Sequence, residues 1–331
     1  HLSEGRFNMI HFVGAGPGDP ELMTAKGVRL LQHADAVIYD RLVNPLLLFH
    51  CKQDCRFIYV GKTPDRPSIR QAEINGKLIE TAESYESVVR LKGGDPVIFG
   101  RLTEELEACQ NAGMRFDITP GITAASGTAG YSGISLTQRG VATSVTFTTG
   151  RLVDNEKNTF QQLLNGQTVC LYMGVEALDR FVEAALAQGM SARMPILITQ
   201  WGTYGRQVKL QGTLADIRQK ISETKIENPA MIILGEVVHA GERFDWFSDL
   251  PEKGESILYI STNRPDMDAL LEQTQKGADV WWMQVGETRD HRFDEVNKHY
   301  LAERHFDTII FVDEAAKNSY EAEKVKPLWE H

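Results

Sequence analysis

The sequence predicts an α/β protein, and two observations indicate it. Strand-like apolar runs recur between helix-like stretches, and most of these runs end in a glycine-rich or polar turn. The first five runs are MIHFV at 9–13, AVIY at 36–39, FIYV at 57–60, SVVRL at 87–91 and FDIT at 116–119. Strands that alternate with helices in this way are typical of α/β domains.

The stretch 68–85, between the third and fourth runs, has the spacing of a helix. Ser68 is placed to cap its start. The apolar residues that share one face are Ile69, Ile74, Leu78, Ile79 and Ala82. The spacing predicts a helix here despite Gly76 in its interior.

A second α/β pattern begins after PGIT at 120–123, so we expect a domain boundary near Thr119–Gly121. Its strand candidates are SVTFTT at 144–149, TVCLYM at 168–173, PILIT at 195–199, QVKLQ at 207–211 and AMIIL at 230–234. A polar linker at 249–255 precedes three more candidates, at 256–261, 279–284 and 307–312. The predicted domains are therefore 9–120 and 121–248, followed by a segment, 255–326, that is small for an independent α/β domain.

Composition narrows the classes of function. A net charge of −10 and a pI near 5.5 argue against a general nucleic-acid or anionic-membrane surface. Because no run approaches the roughly 18 apolar residues of a membrane span and no signal pattern opens the chain, a cytoplasmic protein is expected. The four cysteines and nine histidines show no metal-ligand spacing, so we expect free, mostly buried thiols and no metal.

The turn VGAGPGD at 13–19 is glycine-rich, yet its spacing differs from that of a phosphate-binding turn. The dinucleotide fingerprint is G-x-G-x-x-G, with a helix N-terminus free to hold a pyrophosphate. Here Gly14, Gly16 and Gly18 alternate, and Asp19 follows directly. A carboxylate at this place repels a diphosphate. The turn therefore favours a ligand without phosphate, or one that carries positive charge.

Seven glycine-rich or polar turns, the one at 14–19 included, follow predicted strands. They are GAGPGD at 14–19, YDRLV at 39–43, VGK at 60–62, LKGGDP at 91–96, PGITAASG at 120–127, YMG at 172–174 and QWGT at 200–203. Any one of them, taken alone, is more simply explained as an ordinary turn without a ligand. Together they favour a ligand cleft between two domains, because open α/β sheets bind ligands outside the carboxyl ends of their strands.

Charge is unevenly distributed along the chain. From Ile118 to Val153 there is no Asp or Glu, and the charged residues are Arg139 and Arg151. Bases that fall on these seven turns or within five residues after them are Arg41, Lys62, Arg66, Lys92 and Arg101. They indicate a trough for a substrate with many carboxylates. Buried small-residue segments and solvated surface bases are the alternative explanation.

Asp40 is the main catalytic candidate because it ends the apolar strand AVIY. A carboxylate at a strand end in a cleft can take a proton from a carbon centre, and Lys62 can give or guide one. A solvated or capping role is the alternative for Asp40. Asp95, beside Gly93 and Gly94, is placed to bind a cofactor, because the two glycines permit close backbone approach.

These stretches, in this order, resemble the uroporphyrinogen-III C-methyltransferases of the tetrapyrrole methylase family. The resemblance runs from about Met9 to Phe247. Its motifs are GAGPGDPELMT, ADAVIYDRLV, VVRLKGGDPVIFGR, PGITAASG, LTQRGVATSVTF and LYMG. It implies two α/β domains of the tetrapyrrole methylase type with a cleft between them.

The resemblance also implies the chemistry: S-adenosylmethionine as cofactor, without a metal, and methylation of uroporphyrinogen III at two ring carbons to give precorrin-2, in sirohaem or cobalamin biosynthesis. By the family's pattern Asp40 is the proton acceptor and Lys62 the donor. The implied cofactor contacts are Pro17, Gly93, Gly94, Asp95, Ile98, Thr123, Ala124, Met173 and Gly202. The carboxylate-binding candidates are Arg41, Arg101 and Arg139, and a homodimer is implied.

Three departures from the family's pattern stand out. Leu102-Thr103 follows Arg101 where a glycine pair is usual, Trp201 replaces a basic or polar residue, and Gln138 replaces His. Beyond Ser256 the chain resembles the opening portion of uroporphyrinogen-III synthase, too short for synthase activity. Alternatives that stay open are a methyltransferase acting on a later precorrin, a non-catalytic binding protein, and a nicotinamide-dependent oxidoreductase.

Overall fold

The computed structural model describes residues 8–63, 66, 69–152, 156–161, 163 and 166–322. The chain groups into two compact units. One runs as far as Ile122 and also contains the chain from Gly254 onward, and the other is Thr123–Lys253. The third segment of the sequence thus shares a unit with the first. The division into domains 9–120, 121–248 and 255–326 stays a prediction.

The first unit is built on a parallel five-stranded sheet of order β3-β2-β4-β1-β5. Its strands are β1 (Met9–Gly14), β2 (Ala36–Tyr39), β3 (Arg56–Tyr59), β4 (Ser87–Lys92) and β5 (Arg115–Thr119). Its helices are α1 (Ala25–His33), α2 (Gln71–Ser84) and α3 (Leu102–Asn111), with 3-10 turns at Pro20–Leu22 and Pro45–His50. Because the strands are parallel, their carboxyl ends share one edge.

The two faces of this sheet have separate cores. Ile10, Phe12 and Val88 pack with Leu78 of α2 and Cys109 of α3 on one face. Residues of alternate position, such as Val13 and Val89, pack on the other face with Leu31 of α1. This is the period-2 alternation of a strand covered on both sides.

The second unit contains a mixed five-stranded sheet of order β6-β7-β10-β8-β9. The strands are β6 (Val145–Thr149), β7 (Thr168–Tyr172), β8 (Pro195–Gln200), β9 (Val208–Thr213) and β10 (Ala230–Leu234). Its helices are α4 (Ala124–Tyr131), α5 (Leu178–Ala187), α6 (Ile217–Ser222) and α7 (Gly241–Phe244), with a 3-10 turn at Glu236–Ala240. β6 and β7 are parallel, and β10 is antiparallel to both β7 and β8. The carboxyl ends of β6, β7 and β8 therefore share one edge.

The C-terminal segment adds a parallel three-stranded sheet of order β12-β11-β13 to the first unit. Its strands are β11 (Ser256–Ser261), β12 (Asp279–Gln284) and β13 (Thr308–Phe311), and its helices are α8 (Met267–Gln275), α9 (Phe293–Leu301) and α10 (Glu314–Ala322). The Phe49 ring lies 4.5 Å from that of Phe293 and 5.6 Å from that of Trp281. The segment therefore extends the buried core that contains Leu31 of α1 and Phe49.

The predicted α/β class is confirmed, and every strand candidate corresponds to a strand, with ends that differ by at most two residues. The helix predicted over 68–85 begins later, at Gln71, because Arg70 still has an extended backbone. The proposed cap, Ser68, lies outside the described residues. In the described part of the chain, no helix has the length and apolar character needed to cross a membrane.

Candidate functional site

The carboxyl edge of the first sheet carries a cluster of three glycines in which backbones touch directly. A Cβ atom on Gly121 would lie 2.4 Å from the carbonyl oxygen of Gly94 and 2.9 Å from Cα of Gly14. A Cβ on Gly14 would in turn lie 2.6 Å from Cα of Gly121. Three neighbouring strands, β4, β1 and β5, therefore end in turns that leave no room for side chains.

The turns after β1 and β4 are also hydrogen-bonded to each other. The N–H of Gly94 donates to the carbonyl of Gly16 at 2.7 Å, and the N–H of Gly16 donates to that of Gly94 at 3.1 Å. This pairing places Pro17 next to the turn that carries Gly93, Gly94 and Asp95, and Ile98 follows three residues after Asp95. These five residues are the cofactor contacts predicted for the first unit.

Carboxylates take up the backbone donors that a phosphate would need at these turns. Asp19 accepts from the N–H of Glu21 at 2.9 Å, and Asp95 accepts from the N–H of Val97 at 3.0 Å. A phosphate here would face two negative charges and find those donors occupied. The carboxylates at these turns are acceptors, so the turns suit a ligand that offers hydroxyl groups or positive charge and carries no phosphate.

Asp40 lies at the same edge, directly after β2. Its Oδ1 accepts from the N–H of Leu42 at 2.9 Å, and its Oδ2 lies 3.7 Å from a guanidinium nitrogen of Arg90. Its side chain is 28% exposed, so a small molecule can reach it. The residue is held at two points and remains accessible, as proton transfer to an external substrate requires.

Lys62 follows β3 on the next strand of the sheet. Its carbonyl accepts a hydrogen bond of 2.9 Å from the hydroxyl of Tyr59. Burial, reinforced by the charge of Asp40, raises the pKa of Tyr59 to about 12, so its hydroxyl keeps its proton as a donor. A Cβ on Gly61 would lie 2.9 Å from the backbone nitrogen of Arg41. The segments that carry Asp40 and Lys62 are thus packed against each other.

Behind this edge lies a buried ionic cluster of Arg90, Lys92 and Glu105. Nε of Arg90 lies 3.0 Å from one oxygen of Glu105, and Nζ of Lys92 lies 2.5 Å from the other. Burial, together with repulsion from Arg90, lowers the pKa of Lys92, while Glu105 opposes this shift. Because Lys92 points inward to Glu105, the suggestion that it lines a substrate trough is wrong.

The other predicted bases of the first unit lie at the surface. Arg41 is 45% exposed and lies 3.3 Å from Glu303 of the C-terminal segment. Arg101 is 61% exposed and makes a two-point contact with Glu104, at 3.0 and 2.9 Å. Arg66 pairs with Glu73 at 2.5 Å. These ion pairs are exposed and weak, so a carboxylate-rich ligand could replace their acidic partners.

In the second unit, Tyr172 lies beside three of the predicted cofactor-binding residues, Thr123, Ala124 and Met173. Its hydroxyl lies 2.6 Å from Oγ1 of Thr123 and accepts from the N–H of Ala125 at 3.4 Å. Met173 follows it at the end of β7, and Ala124 opens α4. A side chain at Gly202 would collide with Thr128 of α4, with Oγ1 at 2.3 Å. The start of α4 and the ends of β7 and β8 therefore form one cluster.

Arg139 and Trp201 occupy exposed or half-buried turns of the same unit. Arg139 lies in a turn that two hydrogen bonds of 2.9 Å between Gln138 and Ala142 close. The guanidinium of Arg206 stacks 4.0 Å from the centre of the Trp201 ring and 4.8 Å from that of Tyr204. Arg206 thus supplies a positive charge at the turn where Trp201 departs from the family's pattern.

Sequence patterns did not reveal the strained backbone at these strand ends. Among the described residues, five that follow β4, β7 and β8 and are not glycine adopt a left-handed conformation, with φ between 49° and 72°. They are Phe99, Arg101, Met173, Trp201 and Thr203. Such conformations cost energy and are concentrated at functional sites. The residue types give no signal of them, because Met, Trp and Phe have no local preference for this region.

Among the described residues, no group of three or more His, Cys, Asp or Glu side chains could hold a metal ion. All four cysteines are free and buried, as expected. Burial raises the pKa of Cys170 to about 12 and contributes most to the rise of Cys109 to about 11, so both are unreactive thiols at neutral pH.

The chain is similar in sequence to known proteins. The chain is 41% identical over 277 residues to the uroporphyrinogen-III C-methyltransferase of Bacillus subtilis (strain 168), a match that covers 82% of this chain and 57% of that one. It is 43% identical over 254 residues to the siroheme synthase of Pseudomonas aeruginosa (strain UCBPP-PA14), covering 76% of this chain and 54% of that one. The chain thus spans a little over half the length of these two relatives.

A solved structure, uroporphyrin-III C-methyl transferase from Thermus thermophilus complexed with S-adenyl homocysteine, matches with a TM-score of 0.62 and 33% identity. The match covers 70% of this chain and 99% of that one. Residues 9–218 match the family described as Tetrapyrrole (Corrin/Porphyrin) Methylases. This range holds both clusters of strand-end turns. The chain therefore belongs to the tetrapyrrole (corrin/porphyrin) methylases.

Proposed function

We propose that this chain is an S-adenosylmethionine-dependent methyltransferase that methylates uroporphyrinogen III at two ring carbons to give precorrin-2, a precursor of sirohaem and cobalamin. The observation that carries the proposal is the pair of glycine turns at the edge of the first sheet. They permit close backbone approach, and carboxylates occupy backbone N–H donors that a phosphate would need. The relative with bound S-adenyl homocysteine, matched over 99% of its length, supports this ligand class.

The cofactor supplies an electrophilic methyl group on a positively charged sulfur. In the first unit, the turns at Gly16 and Gly94 would hold it through backbone groups, and Asp95 offers a carboxylate for a hydroxyl or a positive charge. In the second unit, Thr123, Ala124, Met173 and Gly202 are the proposed contacts. Methyl transfer to an electron-rich carbon depends on alignment and water exclusion, so rigid turns contribute more than a protein nucleophile would.

Asp40 and Lys62 are the proposed acid–base residues. Attack of a pyrrole carbon on the methyl group leaves a proton to be removed, and Asp40 is accessible and fixed for that role. Lys62 is exposed, and the hydrogen bond from Tyr59 fixes its backbone, so its ammonium can return a proton. Arg41, Arg101 and Arg139 are the proposed partners of the substrate's carboxylates.

The proposal extends to assembly and to the C-terminal segment. We expect a homodimer in the cytoplasm and no nucleic-acid or membrane partner. We also expect the synthase-like segment from Ser256 to lack synthase activity. That expectation is wrong if the purified chain cyclises hydroxymethylbilane to uroporphyrinogen III faster than the spontaneous reaction.

An anaerobic assay tests the central claim. The purified chain is incubated with uroporphyrinogen III and S-adenosylmethionine, and S-adenosylhomocysteine release and the mass of the tetrapyrrole are followed. A product that has gained two methyl groups supports the proposal. Methyl transfer to precorrin-2 but not to uroporphyrinogen III would instead identify a methyltransferase that acts later in corrin synthesis.

A further inference from the structure

Strand β4 places two cations inside the first unit, behind Asp40. Val88, Arg90 and Lys92 alternate along the strand, so all three side chains leave the same face of the sheet. The apolar first member packs in the core there, whereas the other two meet Glu105 of α3. The side chains of Arg90, Lys92 and Glu105 are 3%, 8% and 0% exposed.

The charges of this cluster do not cancel. Arg90 and Lys92 share the single carboxylate of Glu105, which leaves one excess positive charge in a buried environment. An uncompensated buried charge is strongly unfavourable. The nearby carboxylate that faces the cluster is Asp40, whose Oδ2 lies 3.7 Å from Arg90. Asp40 therefore completes the charge balance from the solvent-accessible side.

Arg90 also limits the orientations open to Asp40. The N–H of Leu42 binds one carboxylate oxygen, and Arg90 attracts the other. Arg90 is itself fixed, because Glu105 holds its Nε at 3.0 Å and the carbonyl of Leu91 accepts from its Nη1 at 3.3 Å. The position of the carboxylate is therefore set from the interior of the domain.

We propose that Arg90 is a positioning residue for the methyltransferase reaction: anchored by Glu105, it holds Asp40 in the orientation that accepts the proton. The inference rests on the proposed function, in which Asp40 is the base. Arg90 is buried and acts through Asp40, so it need not touch the tetrapyrrole or S-adenosylmethionine. Its loss should consequently change the rate of the chemical step and leave substrate binding nearly intact.

The two cations of the cluster provide a matched comparison. Arg90→Met and Lys92→Met each remove one buried positive charge and leave a neutral pair with Glu105, but only Arg90→Met removes the group that faces Asp40. We expect Arg90→Met to lower kcat by about 10-fold or more, since a misplaced base loses much of a contribution of about 100-fold or more. Lys92→Met should lower kcat by less than about threefold. In each variant, the KM values for the tetrapyrrole and for S-adenosylmethionine should stay within about threefold of wild type.

A double-mutant cycle with Asp40→Asn separates a positioning role from a structural one. If Arg90 acts through Asp40, adding Arg90→Met to Asp40→Asn lowers kcat no further. Thermal unfolding and S-adenosylhomocysteine binding verify that each variant is folded. Should Arg90→Met not fold, Arg90→Lys replaces it in the cycle, because it keeps the charge but loses the guanidinium geometry.

Equal losses of kcat in the Arg90 and Lys92 variants would overturn the assignment, as would a full loss from the Arg90 substitution in the Asp40→Asn background. A wild-type chain that transfers no methyl group would overturn the proposed function, and the role of Arg90 with it. These outcomes differ in the wild-type measurement, so the two failures are distinguishable.

Discussion

At the residue scale, the glycines of the first sheet's carboxyl edge hold three strand ends in direct backbone contact. A Cβ at Gly14 or Gly121 would approach its nearest backbone atoms to 2.6 or 2.4 Å, distances too short for any side chain. Backbone cannot move aside as the end of a flexible side chain can. These glycines are therefore required for the shape of the turns and not only for their flexibility.

Gly121→Ala is expected to weaken S-adenosylhomocysteine binding at least about 10-fold and to lower the unfolding temperature, because overpacking against backbone costs about 1–3 kcal/mol. Calorimetric titration and thermal unfolding measure both effects. Gly76→Ala is the control, since nothing lies within 4 Å of its Cβ and the residue is inside α2. It should stabilise the chain by about 0.5–1 kcal/mol. Unchanged binding in Gly121→Ala would contradict a cofactor role for these turns.

Asp40→Asn tests the base directly. The amide keeps the shape of the side chain but cannot accept the proton, so we expect S-adenosylhomocysteine binding to be unchanged and kcat to fall by about 100-fold or more. Single-turnover measurements under anaerobic conditions give the rate of the chemical step. Wild-type turnover in this variant would remove Asp40 from the mechanism.

At the scale of elements, α9 and the residues after it border the ends of β2 and β3. The ring of His299 stacks on Tyr59 with centroids 5.4 Å apart, and Glu303 pairs with Arg41 at 3.3 Å. Glu303 follows His299 by four residues. Burial, with contributions from Tyr59 and Glu295, raises the pKa of Tyr39 at the end of β2. The C-terminal segment is thus a neighbour of the turns that carry Asp40 and Lys62.

Glu303→Gln should lower the KM for the tetrapyrrole and leave kcat unchanged, because it frees Arg41 for a substrate carboxylate. Exposed ion pairs contribute about 0.2–1 kcal/mol, so the decrease should not exceed about fivefold. Steady-state kinetics at low and at high salt measure it, and the difference should vanish near 1 M salt. Glu104→Gln is a parallel variant for Arg101. An unchanged KM at low salt would argue against Arg41 as a substrate-binding residue.

At the scale of the whole molecule, two arginines of the C-terminal segment donate hydrogen bonds to backbone carbonyls between β2 and β3 of the first sheet. Arg292 donates to the carbonyls of Lys52 and Cys55 at 2.9 and 2.6 Å, and Arg264 donates to that of Cys51 at 3.0 Å. Asp290 holds the guanidinium of Arg292 at 2.6 Å. Hydrogen bonds from charged donors to backbone acceptors contribute more than neutral ones.

This attachment predicts a dependence of stability on pH. Burial acts to raise the pKa of Asp290, but the hydrogen bonds and charge of Arg292 outweigh it and hold the pKa below its ordinary value of 3.8. A lowered carboxylate pKa contributes stability above the unfolded value, and this is lost as pH falls through the folded one. The unfolding temperature of wild type should therefore exceed that of Asp290→Asn near pH 7 and approach it below about pH 3.8. A difference that stays constant down to about pH 2.5 would contradict this assignment.

The sequence by itself determined the strands, the strand-end turns and the candidates on them. Apolar runs and glycine turns are local patterns, and a strand between turns is fixed by its own residues and their immediate neighbours. That is why the strands of the first unit lie where the sequence predicts them, with Asp40 directly after β2 and with Gly94 and Asp95 shortly after β4.

Only the tertiary structure decided which partners those residues have. Lys92 is the last residue of β4, beside a predicted ligand-binding turn, yet its side chain points inward and donates a hydrogen bond to Glu105 of α3. The antiparallel pairing of β8, β9 and β10 and the packing of the C-terminal segment with the first sheet depend on contacts between distant parts of the chain. Pairing, charge compensation and left-handed residues such as Met173 are set by long-range packing, which local spacing does not encode.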